Sequence, residues 1–259
     1  DALEKLIPVY RNQPGGDVSI SLLDTVTASQ IKTFPPKPSI LYNVWEADLQ
    51  PDAFIENLKN YSQLWVTSEA QRAWSIAQGL KAFPDNPKVR LYLSTDTLYP
   101  SDPWKSTEER LEKNGISDTR ICPVHFEERE KYVRRLQTCQ VYLQCSRSEG
   151  FGRPGIEAMA CGAVAILENY GGSTEFSDGA LLVRVPKLEK PEGIYGNWQV
   201  PGMWGSPDYD HLVELMRDAY ENYSKHKEKA LKTSEMIRTK FSWDMAAKKA
   251  YVILKELSE

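Results

Sequence analysis

The stretch Ser146-Arg-Ser-Glu-Gly-Phe-Gly-Arg-Pro-Gly-Ile-Glu-Ala-Met-Ala-Cys-Gly162 concentrates residues that could do chemistry. Two carboxyl groups, Glu149 and Glu157, bracket it with seven residues between them. Gly150, Gly152 and Gly155 carry no side chains, so the backbone can approach a ligand closely. Pro154 suits the first turn of a helix, where its missing N–H costs nothing. The N–H groups of such a turn, together with the helix dipole, form a site for an anion such as phosphate. A carboxylate next to a phosphate repels it, whereas a carboxylate that accepts hydroxyl hydrogen bonds need not touch it. The economical ligand is a polyol on either side of a phosphate, which is a nucleotide sugar. One Glu would grip the sugar ring and the other the ribose. A plainer reading has Glu157 satisfying the helix N-terminus, Glu149 solvated in a loop, and the glycines serving turn geometry alone. A single glycine-rich loop does not decide between these.

The elements that must position this loop follow from periodicity. Val141–Cys145 reads as a strand, residues 154–161 as a helix, and Ala163–Leu167 as a buried strand. The loop therefore lies at the carboxyl end of a strand, where parallel sheets bind ligands. Upstream, residues 18–24, 40–45, 64–67, 89–93 and 120–124 read as strands, and 51–59 and 127–139 as helices. Ser106 and Glu109 make a capping box for a helix that stops at Gly115. Residues 79–87 break the pattern with turn chemistry, and residues 185–207 read as a long surface loop. Helices are expected at about 208–227, 228–240 and from Trp243 onward, the last capped by Ser242. Strands alternating with helices indicate βαβ units and a parallel sheet.

The 259 residues imply about two domains, and 41% hydrophobic with 26% charged residues is the balance of an ordinary globular protein. A net charge of −4 gives no reason to expect nucleic acid as a partner. Cys122, Cys139, Cys145 and Cys161 fall at no metal-ligand spacing, so free thiols and a reducing, cytoplasmic setting are expected. No metal site is expected either, and Asp96 and Asp102 read as turn residues. No apolar run is long enough for a membrane span. No leader precedes Asp1, and the missing initiator Met suggests that sequence upstream is absent. His125 reads as structural or exposed, with a place at the rim of a cleft as the alternative. His211 and His226 read as solvated, Lys225, Lys227, Lys229 and Lys232 as an exposed face, and Trp198 and Trp204 as acceptor-facing or simply packed.

The stretch resembles the E-x(7)-E signature of retaining glycosyltransferases of the GT-B fold, most like glycosyltransferase family 4. Ser146, Glu149-Gly-Phe-Gly152, Pro154 and Glu157-Ala-Met-Ala-Cys-Gly162 carry the likeness. Asn169-Tyr-Gly-Gly-Ser-Thr-Glu175 resembles the family's Gly-Gly-x-x-Glu loop, and Phe241-Ser-Trp243 its closing pattern. The resemblance covers residues 88–259 well and residues 1–79 weakly. It implies an α/β, GT-B-like fold of two Rossmann-like domains whose parallel sheets face a cleft, with the N-terminal domain incomplete. The expected division is 1–79 for an acceptor-side domain, 80–240 for a nucleotide-sugar domain, and 241–259 for a helix that packs back on the first.

The resemblance also implies roles. Glu149 would be the catalytic-site residue that contacts the donor sugar's hydroxyls. Phe151 and Gly152 would line the sugar–diphosphate with backbone N–H groups, ahead of Pro154. Glu157 would bind the ribose, and Gly171, Gly172 and Glu175 would close the site. Arg153 stands where the family has an apolar residue, and would either add charge to the phosphate site or face solvent. The implied activity is metal-independent, retaining transfer from a UDP- or GDP-linked sugar to a glycan, lipid or protein acceptor, with no cofactor beyond the donor. The alternatives are a catalytically weak nucleotide-sugar-binding protein and a nucleotide-sugar epimerase. No G-x-G-x-x-G follows an early strand, which disfavours a dinucleotide-dependent dehydrogenase. Two family features have no counterpart here: the Arg and Lys that clamp the diphosphate, and the glycine-rich first turn. Either the chain is a natural truncation, or residues are absent before position 1 and near position 79, and the second is the expectation.

Overall fold

The computed structural model describes residues 82–94 except 85 and 87, residues 109, 112, 117–124, 128–190 and 202–258, and the backbone of three earlier strands. Those strands are β1 (Ser19–Leu22), β2 (Ser39–Val44) and β3 (Gln63–Thr67). They pair in parallel in that order, with Ile40 opposite Ile20 on one side and Gln63 on the other. β4 (Leu91–Ser94) and β5 (Ile121–Val124) form a second parallel pair. The helix expected at 51–59, most of the one expected after Ser106, and Asp96, Asp102, His125 and Trp198 lie outside the described residues.

The site-bearing layer is a third parallel sheet of β6 (Val141–Gln144), β7 (Val164–Glu168) and β8 (Leu181–Val183), with β7 in the middle. Every residue of β7 is buried, which explains its unbroken apolar run. Its side chains alternate between two cores. Val164 and Ile166 pack with Val183 and with Leu212, Met216 and Ala219 of α3 (Tyr209–Glu221). Ala165 and Leu167 pack with Ile156 and Met159 of α2 (Arg153–Ala160), Phe176, and Ile237 of α4 (Tyr223–Lys240). α1 (Arg129–Thr138) closes a third core through Leu136, against Ala158 and Ala163. Helices on both faces of a parallel sheet are the doubly wound arrangement.

The carboxyl end of α2 is fixed by two cations from α4. Lys227 Nζ donates to the Gly162 carbonyl at 2.6 Å, and an Arg238 guanidinium nitrogen donates to the Ala160 carbonyl at 2.8 Å. Arg238 satisfies a last-turn carbonyl, Lys227 one just past the C-cap, and both complement the helix dipole. Lys227 is thus a helix-terminus ligand rather than part of an exposed face. Gly162 turns the chain out of α2 with φ +78°, a conformation that favours glycine.

Capping behaves as expected at α5 (Trp243–Ser258), where the Ser242 hydroxyl accepts from the Met245 N–H at 3.2 Å. Elsewhere the structure differs. The break between α3 and α4 falls at Asn222, not near residue 227; Asn222 leaves helical geometry at φ −106°, ψ 28°, and its side chain bonds back to Asp218. His226 is not solvated: its side chain is 13% exposed, and its Nε2 lies 2.7 Å from Asp218. Residues 185–207 are not wholly loop. β9 (Lys187–Glu189) pairs antiparallel with β10 (Trp204–Ser206), and Trp204 is buried. Among the described residues, no helix is long and apolar enough to cross a membrane.

Ile166 is 0% exposed at the centre of β7. Ile166→Ala is expected to lower unfolding free energy by about 2–5 kcal/mol, read as a shift in the denaturant midpoint at constant slope. A midpoint within error of the parent would show that the face of β7 toward Val183 and α3 is not packed.

Candidate functional site

β6 ends at Gln144, and the chain then runs through Cys145 and Ser146 into the loop that carries Glu149. Glu149 is not a solvated loop residue. It is 3% exposed, and the Ser146 hydroxyl donates to its Oε1 at 2.6 Å. The three-residue spacing of Ser146 and Glu149 lets the loop fold its own carboxyl group inward. Its backbone is gripped from the next crossover, where Gly172 donates its N–H to the Glu149 carbonyl at 2.7 Å.

Gly172 belongs to a 3-10 turn, Gly171–Glu175, that follows β7. The turn presses on the Glu149 loop backbone to backbone. A Cβ on Gly172 would lie 2.0 Å from the Gly150 carbonyl oxygen, and one on Gly171, at φ +70°, 2.8 Å from the Glu149 carbonyl oxygen. Gly171 and Gly172 therefore close over Glu149, while Glu175 ends the turn exposed to solvent.

Two glycines of the first loop also have a structural task. Gly152 enters α2 at φ +80°, and a Cβ there would meet Gln144 Nε2 at 2.6 Å. A Cβ on Gly155 would meet Gln144 Oε1 at 2.9 Å. Both make room for the Gln144 side chain. Pro154 lies in the first turn of α2, as its ring favours. That turn supplies fewer anion donors than expected. Pro154 has no N–H, Ile156 donates to the Gly152 carbonyl, and Gly155 donates to that carbonyl and to Gln144 Oε1 at 3.1 Å. The dipole argument survives, because no acidic residue occupies the first turn of α2.

Glu157 does not cap the helix; α2 has no side-chain cap bond. Its carboxylate is forked by the Arg129 guanidinium at 3.0 and 3.2 Å, and Arg153 approaches to 3.7 Å. The Tyr132 phenol beside it is raised above its usual range, by burial first and by Glu157 second. Arg153 thus turns toward Glu157, whatever else it contacts. The Phe151 ring packs on Phe176 at 5.3 Å and on Phe241 at 6.2 Å, so its side chain points into an aromatic cluster. Beyond Ser146, the Arg147 guanidinium stacks over Trp204 at 5.2 Å and pairs with Glu189. Trp204 is therefore packed against the site loop.

Sequence reasoning missed Gln144, Glu168, Ser173 and Arg129. Gln144 and Glu168 had a visible signal: each is the polar residue that closes an apolar strand at its carboxyl end. Glu168 is buried at 0% exposure, and the Ser173 hydroxyl donates to its Oε1. Burial pushes its carboxyl up to about 8, and the nearby Glu149 adds to the rise.

Residues 76–179 match the family described as Glycosyl transferases group 1, and this matched domain contains Glu149, Glu157 and the Gly171–Glu175 turn. A curated relative is the candidate glycosyltransferase ORF330 of Acidianus filamentous virus 2, 27% identical over 136 residues, which are 52% of this chain and 38% of that protein. The chain thus spans little more than a third of that relative's length. Among solved structures it is similar to Anabaena HepE in complex with UDP and glucose, with a TM-score of 0.57 at 13% identity over 85% of this chain and 72% of that one. It is also similar to TarM, with a TM-score of 0.55 at 13% identity over 97% of this chain and 56% of that one. The fold is that of the GT-B glycosyltransferases, α/β with parallel sheets.

Gly172→Ala has no room for its methyl group against the Gly150 carbonyl. It is expected to cost about 1–3 kcal/mol or more by overpacking. Hydrogen exchange should localise the damage to residues 149–152 and 171–175; an unchanged midpoint and unchanged exchange would remove the backbone contact from the account.

Proposed function

We propose that this chain transfers a glycosyl unit from a nucleoside-diphosphate sugar, UDP- or GDP-linked, to an acceptor hydroxyl with retention of anomeric configuration. The observation that carries the reading is the buried Glu149, held by Ser146 beneath the Gly171–Gly172 turn at the carboxyl end of β6. A carboxyl group excluded from water in this way is built to accept hydroxyls that replace the water. HepE's complex with UDP and glucose supports the same ligand class here.

In this reading each residue has a physical task. Glu149 accepts hydroxyl hydrogen bonds from the donor sugar and fixes its orientation. The diphosphate faces the N-terminal end of α2, whose carboxyl end is already neutralised by Lys227 and Arg238. Because Gly155 and Ile156 N–H groups are spent internally, the donors to phosphate come from the loop ahead of Pro154, where Phe151 and Gly152 present backbone while the Phe151 ring packs away. Preorganised dipoles at that point stabilise the charge that the leaving diphosphate gains in the transition state. Glu157 accepts from the ribose hydroxyls, and Arg129 holds it in place until they arrive. The turn from Gly171 to Glu175 closes over the sugar. As the diphosphate leaves with its bonding electrons, the anomeric carbon becomes positive; the acceptor oxygen attacks on the face the diphosphate vacated, and its hydroxyl proton passes to an oxygen of the departing diphosphate.

The same reading divides the chain into residues 1–79 on the acceptor side, 80–240 for the donor, and 241–259 as a helix returning to the first part. The reaction uses no metal and no cofactor beyond its donor.

A thermal-shift panel of UDP-, GDP- and ADP-sugars tests ligand class, since a ligand that binds only the native state raises its midpoint. One nucleotide series should stand out; no shift from any would overturn the reading. With the matching donor, Glu149→Gln is expected to lower kcat by about 100-fold, as losing charge-assisted hydrogen bonds costs roughly 1.5–3 kcal/mol. Glu157→Ala should weaken nucleotide affinity about 10-fold or more by calorimetry, and unchanged affinity would remove the ribose role. EDTA should leave transfer rates unchanged. Donor conversion without acceptor would instead indicate epimerisation.

A further inference from the structure

Three buried polar side chains join the two loops of the site in one directional chain. The Gln144 carbonyl oxygen accepts from the Gly155 N–H at 3.1 Å, which fixes the orientation of the amide. Gln144 Nε2 then donates to the Ser173 hydroxyl at 3.1 Å. Ser173, having accepted, donates its own proton to Glu168 Oε1. The chain thus begins at the first turn of α2 and ends at the last residue of β7, and all three side chains are buried. Its ordering follows from donor and acceptor counting alone.

The far end is unusual. Glu168 Oε2 is buried with no hydrogen-bond partner among the described residues. An ionised carboxylate there would leave one oxygen unsolvated, which is costly, while the neutral acid is tolerated. The titratable groups that face Glu168 are Glu149, on the loop after β6, and Cys145, at its start. The Cys145 thiol is itself pushed well up by burial, so neither group offers a positive charge.

We propose that Glu168 is a positioning residue: in its neutral form it latches the Gly171–Glu175 turn, through Ser173 and Gln144, to the first turn of α2, and so sets the geometry of the donor site. This rests on the donor reading of that site. The two glycines that make room for Gln144, Gly152 and Gly155, belong to the same device. Releasing the turn exposes Glu168 to water, where it ionises. The sign follows from linkage. The carboxyl's ordinary value is 4.5, and in the closed turn it is pushed up to about 8. Between those values the closed turn holds a proton that the open turn has lost, so the closed form weakens as pH rises and levels off above the upper value.

The test uses the full chain without ligand. Protection of the Gly172 amide, corrected for intrinsic exchange, reads the latch directly, because that N–H bonds to Glu149 only when the turn is closed. Wild-type protection is expected to fall by up to about tenfold per pH unit from pH 5 to 8 and then level off. Glu168→Gln, which keeps an acceptor for Ser173 but does not titrate, should be flat over the same range. Ser173→Ala should lose protection at every pH. Flat wild-type protection, or a Glu168→Gln profile that still falls, would overturn the latch; global stability measured alongside separates this from unfolding. The nucleotide-sugar panel, run at pH 6 and pH 8.5, gives the second arm. Wild-type affinity should drop with pH and that of Glu168→Gln should hold. A pH-sensitive latch with no binding of any donor would leave the latch standing and overturn the donor reading instead.

Discussion

Gly172 approaches Gly150 so closely that their loops meet backbone to backbone, with no side chain between them. The contact ties together two crossovers that leave adjacent parallel strands, β6 and β7. Once it forms, the Glu149 carbonyl has its donor, and the Glu149 side chain has nowhere to go but inward, toward Ser146. A single methyl group at position 172 would push the loops apart and return Glu149 to water. The burial of that carboxyl group therefore depends on two absent side chains. This is why the double glycine and the first Glu belong to one structural statement, although more than twenty residues separate them in the chain.

The helix between the two strands is held under a similar economy. α2 is only eight residues long, too short to persist in water without tertiary support. Its carboxyl end is satisfied by Lys227 and Arg238 from α4, and its first turn by Gln144 from β6. Its apolar face is anchored by Ile156 and Met159. With both ends pinned from neighbouring elements, the dipole is fixed in direction, and no acidic residue stands in its first turn. A chain of net charge −4 thereby presents a locally positive feature without any basic surplus.

Much of this was legible in the sequence, and the limits have physical causes. β7 was readable because burial on both faces demands a continuous apolar run, and the Ser242 cap because a hydroxyl before a helix has one obvious use. Both depend on local rules. The pairing of β9 with β10 was not readable, since each strand is only three residues long and the interval between them is rich in Pro and Gly, which reads as loop. The helix break was expected near residue 227 rather than at Asn222, and His226 was read as solvated, because Asn222 and His226 both serve Asp218, a partner that helical periodicity alone does not single out. The glycines were read as room for a ligand. They are room for Gln144 and for the facing loop, and only a three-dimensional neighbour reveals which.

Glu157 shows the remaining gap between motif and mechanism. Spacing puts it on α2, but its carboxylate oxygens are held by Arg129, which opens a different helix. A carboxylate already forked by a guanidinium has little to gain from a second cation, and much of its accepting capacity is in use. A ribose that approached it would have to share those oxygens with Arg129, or displace the arginine into solvent, where it is already largely exposed. Exposed ion pairs contribute little to stability, so exchanging one for hydroxyl bonds costs little. The pair is therefore better understood as holding an acceptor group in orientation than as strengthening the fold.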